Sequence, residues 1–189
     1  MRVFGIDPGS ECTGYGCVET DGSRNHLVAS GAITALADDA FPHRLARIHA
    51  KLLALLDECH PDYVAIESLF YAVNVRSTLK LAHARGVAML AAVEAGCPVA
   101  EYAPTEVKRA VVGYGRAEKP QVQQMVKLLL GLDEVPTPHD AADALAVAIC
   151  HLHSITGDPK KEHVALGSDG TKVIRRPRSW RQYRPSSNR

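Results

Sequence analysis

The hydrophobic pattern of this chain changes its period near residue 40, and this change constrains the fold more than any other feature. Before that point, short apolar segments are separated by turn residues, which predicts strands at 2–7, 15–20 and about 26–33. The Asp-Gly pair at 21–22 favours a hairpin between the second and third strands. After residue 40, apolar residues recur at spacings of three and four, which indicates amphipathic helices.

Two further strands interrupt the helical part. Helices are predicted at 42–59, 74–95, 105–112 and 121–130 and from 139 onward, with strands at 62–67 and 98–103. Hairpins followed by alternating strands and helices are typical of a mixed sheet covered by helices. We therefore expect an α/β domain whose five-stranded sheet is antiparallel in its first three strands and parallel in the rest.

Charge divides the 189 residues into two parts. Residues 157–189 contain nine Lys and Arg against three Asp and Glu, a net charge of +6, and they have no sustained apolar period. We predict one folded domain at 1–155 and a mostly disordered basic tail at 156–189. The mixture of Arg with Trp180 and Tyr183 suits contact with nucleic acid, and a tail that only promotes solubility is the alternative.

The composition also bears on location and redox state. No apolar run reaches the length of a membrane helix, and the apolar N-terminal segment meets Asp7 too early for a secretory signal. We expect a cytoplasmic protein without a membrane partner. The five cysteines form no CxxC pair and are interpreted as small buried hydrophobic residues, not zinc ligands.

Four carboxylates occupy positions where ligands gather in such folds. Asp7 and Glu67 end apolar strands, while Asp140 and Asp143 lie three residues apart on one face of the last helix. Each alone is compatible with a polar strand end or a helix cap. If the four converge, their mutual repulsion calls for a cation, and oxygen ligands favour Mg²⁺ or Mn²⁺. Two such ions would suit phosphodiester hydrolysis.

Five segments resemble the RuvC family of Holliday-junction resolvases in order over about residues 1–155. They are GIDPGSECTG at 5–14, AIESLF at 65–70, LAHARGVAM at 81–89, APTEVKRAVVGYGRAEKPQV at 103–122 and HDAADALAVAICH at 139–151. The resemblance implies an RNase H-like nuclease domain that resolves four-way DNA junctions by paired symmetric nicks, in recombination and repair. It also implies a homodimer, 5′-phosphate and 3′-hydroxyl products, and cooperation with the RuvA and RuvB branch-migration proteins.

The same resemblance assigns candidate site residues. It makes Asp7, Glu67, Asp140 and Asp143 the catalytic, metal-binding acids, with two Mg²⁺ ions per site for which Mn²⁺ can substitute. His139 either supports a metal ligand or simply starts the helix, and we favour the second role. The apolar side of helix 74–95 is our candidate for the dimer interface.

DNA contacts are expected from residues around these acids. Phe70 and Tyr71 lie on a predicted loop, where an aromatic ring can stack on an unpaired base, and core packing is the alternative. The basic candidates, for which simple solvation is the alternative, are Lys108, Arg109, Arg116 and Lys119 around a glycine-rich loop and Arg76, Lys80 and Arg85 on helix 74–95.

Two other functions are compatible with parts of the sequence. A non-catalytic DNA-binding module could keep the fold without the chemistry, and the intact set of acids argues against it. An actin- or hexokinase-type phosphotransferase also opens with a GID-x-G strand and loop. That class needs two such domains, whereas about 155 residues supply one.

Overall fold

The computed structural model describes residues 1–34, 39–68 and 75–156. Within these ranges the predicted element order and the five-stranded mixed sheet are confirmed. The strands are β1 (Arg2–Asp7), β2 (Cys12–Thr20), β3 (Asn25–Thr34), β4 (Tyr63–Glu67) and β5 (Val99–Tyr102). The helices are α1 (Phe41–Cys59), α2 (Val75–Glu94), α3 (Pro104–Val112), α4 (Lys119–Leu129) and α5 (His139–Thr156).

Strand β1 lies in the middle of the sheet, whose order is β3-β2-β1-β4-β5. It pairs antiparallel with β2 and parallel with β4. The parallel register places Ile6 beside Ile66. The residues that follow, Asp7 and Glu67, therefore end neighbouring strands at the same edge of the sheet.

The start of β2 differs from the prediction. The sequence indicated a loop over 8–14, but β2 begins at Cys12, and its first residues pair with β3 and then with β1. Thr13 is fully buried, and its hydroxyl donates a hydrogen bond to the backbone oxygen of Gly9 at 2.7 Å. Polar and glycine residues that resemble a loop in the sequence therefore belong partly to a strand, because pairing on both sides satisfies their backbone groups.

The two faces of the sheet have different coverings. Phe4, Ile6 and Ile66 pack with residues of α1 and α2, whereas Val3 and Ala65 pack with α3, α4 and α5. Because side chains alternate along a strand, Asp7 and Glu67 share the face of Val3 and Ala65. The two acids that end strands thus project towards α5, the helix that carries Asp140 and Asp143.

Glycines let α5 lie directly on β1 and β2. A Cβ atom at Gly14 would lie 2.0 Å from the backbone oxygen of Asp140, and one at Gly5 would lie 2.0 Å from that of Ala144. A Cβ at Gly16 would lie 2.6 Å from the side chain of Leu145. The absence of side chains at these positions is what brings the acidic start of α5 to the end of β1.

Helix α5 is almost wholly enclosed between the sheet and helices α3 and α4. Its apolar character therefore reflects a place in the core. Over the described residues, no helix combines the length and the hydropathy required to cross a bilayer.

Candidate active site

Three carboxylates meet where β1 ends and α5 begins. One oxygen from each of Asp7, Asp140 and Asp143 lies within 4.8 Å of the others. Asp7 reaches the cluster from the central strand, and the two others come from the first turns of α5. The three-residue spacing in the sequence therefore places both helical acids on the face that meets β1.

Glu67 belongs to the same electrostatic unit. Burial, followed by the charges of Glu67, Asp143 and Asp140, raises the pKa of Asp7 from its ordinary 3.8 to about 7. Burial and the charge of Asp143 also raise the pKa of Glu67. Carboxylates at such spacing disfavour one another's ionised form, and a bound cation relieves that repulsion. An all-oxygen donor set of this kind fits a hard divalent ion such as Mg²⁺.

Two lysines line a cleft together with Glu67 and Asp143. The ammonium group of Lys119 lies 2.6 Å from Oδ2 of Asp143, and Lys108 opposes the rise in the pKa of Glu67. The cleft between the strand ends and helices α3, α4 and α5 has a charged rim and an apolar floor. Its lining consists of Glu67, Lys108, Lys119 and Asp143 with Pro104, Val107, Val122 and Ala146.

The other predicted DNA contacts lie farther from the carboxylates or outside the described residues. Arg109 and Arg116 are exposed and do not line the cleft. Arg76 and Lys80 are exposed on the first turns of α2, where the ammonium group of Lys80 lies 5.9 Å from the centroid of Phe41. Arg85, farther along α2, forms an ion pair with Glu101. Phe70, Tyr71 and the basic segment 157–189 lie outside the described residues.

His139 is the first residue of α5 and is exposed. The side-chain amide of Gln123 on α4 donates a hydrogen bond to its Nδ1 at 3.0 Å. Gln123 is a buried polar residue that the sequence did not single out, since glutamine on a helix is normally exposed. The bond links α4, which carries Lys119, to the start of α5. The role of His139 as a helix-starting residue stays a prediction.

Cys12 is a second residue that the sequence analysis did not assign to the site. Its thiol donates a hydrogen bond to Oδ2 of Asp140 at 3.1 Å. Burial and this bond raise the pKa of Cys12 to about 11. The prediction of buried cysteines is confirmed for Cys17, Cys59 and Cys150 and is wrong for Cys12 and Cys97, which are half-buried. The sequence signal that could have assigned Cys12 to the site is its spacing of two from Gly14 and Gly16, which places all three residues on one face of β2.

Comparison with known proteins identifies the family. The family model for crossover junction endodeoxyribonuclease RuvC matches residues 3–151, which include all four acids. The chain belongs to the RuvC family. This confirms the resemblance found in the sequence, and RuvC proteins are hydrolases that act on DNA.

RuvC proteins from several bacteria cover most of this chain. The crossover junction endodeoxyribonuclease RuvC of Koribacter versatilis is 57% identical over 155 residues, covering 82% of this chain and 93% of that protein. The RuvC of Pelobacter propionicus is 50% identical over 185 residues, which is 98% of this chain and all of that protein. The second alignment extends into the basic segment, which the family model does not reach.

A solved RuvC structure confirms the RNase H-like fold. The structure of Thermus thermophilus RuvC in complex with a Holliday junction substrate has a TM-score of 0.76 and 35% identity. The match covers 83% of this chain and 96% of that one.

Proposed function

We propose that this chain resolves four-way DNA junctions by hydrolysing phosphodiester bonds of the DNA. The proposed active site consists of Asp7, Glu67, Asp140 and Asp143. The observation that carries the proposal is the meeting of three of these acids within 4.8 Å, beside Glu67, in a chain of the RuvC family. The products would be 5′-phosphate and 3′-hydroxyl ends. The same reaction at two symmetric positions would separate the junction into duplexes, as recombination and repair require.

The four acids would hold two Mg²⁺ ions, or Mn²⁺ in their place. The chemistry that a pair of such ions would supply is a more nucleophilic water and stabilisation of the charge on the phosphate and the leaving oxygen. The protein's part is to hold the carboxylates close together at the end of the central strand and the start of a buried helix, where a bound cation would favour their ionised forms.

Lys108 and Lys119 would hold the phosphate at the mouth of the cleft. Both line it, and their ammonium groups suit contact with a phosphodiester that approaches the carboxylates. Arg109, Arg116, Arg76 and Lys80 would contact the DNA backbone farther away, and Phe70 and Tyr71 would stack on bases near the junction centre. These contacts position the DNA and do not by themselves select a sequence.

The test is cleavage of a synthetic four-way junction by Asp7→Asn. The variant keeps the size of the side chain and loses a negative charge, so we expect junction binding to persist while cleavage in Mg²⁺ falls by at least about 1,000-fold. Asp57→Asn, an exposed position on α1, is the matched control and should cleave normally. Full cleavage by Asp7→Asn would show that the chemistry is not at this cluster.

We further propose that the protein acts as a homodimer through one side of α2. That side carries an exposed apolar stripe whose members recur at spacings of three and four, opposite the alanines that pack on the domain core. A stripe of this size on a surface favours a protein interface. Its members are Val75 (71% exposed), Leu79 (56%), Leu90 (51%) and Val93 (59%), with the small exposed residues Ala82 and Gly86 between them.

Leu90→Glu tests the dimer, with Leu128→Glu on α4 as its control because Leu128 is also exposed, by 68%. We expect light scattering to give the mass of a dimer for the wild type and the control and of a monomer for Leu90→Glu. The monomeric variant should release singly nicked junctions instead of paired products. A dimer that persists in Leu90→Glu would place the interface elsewhere.

Family membership also suggests the RuvA–RuvB complex as a partner. The test is whether adding that complex stimulates junction resolution by this protein.

A further inference from the structure

The first residues of β2 hold the first turn of α5 at two separate points. Gly14 lets the backbone oxygen of Asp140 approach the strand, since a Cβ atom there would lie 2.0 Å from that oxygen. Cys12, two residues earlier and therefore on the same face of β2, reaches the side chain of the same residue. One contact fixes the backbone of Asp140, and the other fixes its carboxylate.

The thiol that makes the second contact is itself held in place. Cys12 pairs with Thr34 on β3, and the adjacent Thr13 exchanges hydrogen bonds with both backbone groups of Gly9. The Gly9 backbone in turn packs against that of Cys12, because a Cβ atom at Gly9 would lie 2.0 Å from the oxygen of Cys12. The donor is therefore part of a braced strand end and not of a freely moving loop.

The contact has the geometry of a directed hydrogen bond. Sγ of Cys12 lies 3.1 Å from Oδ2 of Asp140, and Cys12 is only half-buried. A carboxylate has two oxygens and several lone pairs, so accepting a bond from the thiol leaves acceptor capacity for a cation. Groups that hydrogen-bond to metal-binding side chains set the orientation of those side chains and the affinity of the site.

We infer that Cys12 is a positioning residue, which holds the Asp140 carboxylate in the orientation that binds the divalent ion. This inference rests on the proposed metal site and adds to it a residue that acts through the Asp140 carboxylate. A simple packing role for Cys12 would depend on the volume of the side chain. A positioning role depends on its ability to donate a hydrogen bond.

Three substitutions separate these roles. Cys12→Ser keeps a donor at nearly the same place, Cys12→Val fills the volume without a donor, and Cys12→Ala removes both. Cys97→Ala is the control, since Cys97 is also half-buried but its thiol approaches the backbone oxygen of Pro61, before β4. Thermal unfolding of the full-length proteins in EDTA establishes that each variant is folded.

The measurement is Mn²⁺ binding to the full-length protein without DNA, by calorimetry and by the electron paramagnetic resonance signal of free Mn²⁺. We expect Cys12→Ala and Cys12→Val to raise the Kd for Mn²⁺ by about 3- to 10-fold, at or below the lower end of such effects because a thiol is a weak donor. Cys12→Ser and Cys97→Ala should stay within about twofold of the wild type. The Mg²⁺ concentration for half-maximal cleavage should shift by the same factor in each variant.

Two results would overturn the inference while leaving the proposed function intact. One is wild-type Mn²⁺ affinity in Cys12→Val and Cys12→Ala. The other is a loss in Cys12→Ser equal to that in Cys12→Ala, which would indicate volume instead of donation. If the wild type bound no Mn²⁺, or Asp140→Asn bound it as tightly as the wild type, the proposed metal site would fail and the inference with it.

Discussion

The free-energy cost of assembling the carboxylate cluster is visible at Asp7. Burial and three neighbouring acids raise its pKa to about 7, against an ordinary value of 3.8. The folded protein therefore holds a proton on Asp7 at pH values where the unfolded chain has released it. By linkage, the stability of the metal-free protein falls as the pH rises from about 4 to about 7 and stays low above that range.

Asp7→Asn should remove this part of the pH dependence. Because the amide carries no charge, we expect the variant to be more stable than the wild type in EDTA at pH 8 by roughly 1–3 kcal/mol, with little difference at pH 4. Urea unfolding monitored by circular dichroism at both pH values measures the effect. Mg²⁺ should stabilise the wild type more than the variant. A variant no more stable than the wild type at pH 8 would contradict the burial of charge at Asp7.

Lys119 offsets part of the negative charge of the cluster through its contact with Asp143. That contact and the other nearby acids raise the pKa of Lys119, so the lysine is charged throughout the neutral range. The side chain is half-exposed and comes from the first residue of α4, so a phosphate at the mouth of the cleft can reach its ammonium group beside Asp143.

Lys119→Met tests this role. We expect the cleavage rate at saturating junction concentration to fall by roughly 100-fold, which is comparable with the loss of a group that stabilises charge in the transition state. The affinity for the junction should weaken only slightly. Lys127→Met, on the last turn of the same helix, should behave as the wild type. Single-turnover kinetics with a labelled junction separate the two effects. Weaker junction binding with an unchanged cleavage rate at saturating junction concentration would instead assign Lys119 to binding alone.

At the scale of elements, the close contact between α5 and the sheet determines whether a site forms at all. The side chains of Asp140 and Asp143 reach Asp7 only because β1 and β2 present glycines to the helix. A methyl group at Gly14 would meet backbone oxygen, which cannot move without displacing the first turn of α5.

Gly14→Ala should therefore lower the free energy of unfolding by about 3 kcal/mol or more and abolish cleavage. Gly31→Ala on β3 is the matched control, because a Cβ atom there meets the hydroxyl end of Tyr15, a side chain that can turn aside. The control should lose less than about 1 kcal/mol. Denaturant unfolding of both variants provides the comparison, and equal stability of the two would refute the argument from close packing.

The element order and most element bounds were predictable from hydrophobic periodicity, because long amphipathic helices and buried strands have distinct periods. The start of β2 was not. Its residues Cys12, Thr13 and Gly14 resemble a turn locally and form a strand only because β1 and β3 lie on either side. Local preference was overruled there by pairing with distant segments.

At the scale of the whole molecule, charge is divided between the two parts of the chain. Residues 1–156 contain thirteen Lys and Arg against eighteen Asp and Glu, whereas residues 157–189 contain nine against three. Residues 1–156 therefore carry a net charge of −5, which disfavours the approach of DNA. This favours a contribution to DNA binding from the basic segment 157–189. The boundary at about residue 156 and the role of this segment remain predictions.

Deletion of residues 157–189 should weaken junction binding mainly at low salt. We expect the slope of log Kd against log salt concentration to decrease in magnitude by about 2 to 4, one phosphate contact accounting for about 0.9. Cleavage at saturating junction should change by less than about threefold, since all four acids lie before residue 157. Fluorescence anisotropy over a range of KCl concentrations gives the slope, and an unchanged slope would exclude DNA contact by this segment.

The sequence by itself predicted the element order, the four candidate acids and the family, because periodicity and short motifs are properties of neighbouring residues. Only the tertiary structure decided which side chains touch: the Lys119–Asp143 ion pair, the Gln123–His139 bond, and the thiol of Cys12 on Asp140. These contacts join residues up to 128 positions apart. They depend on how closely α4 and the sheet approach α5, and this packing is not encoded in any single stretch of sequence.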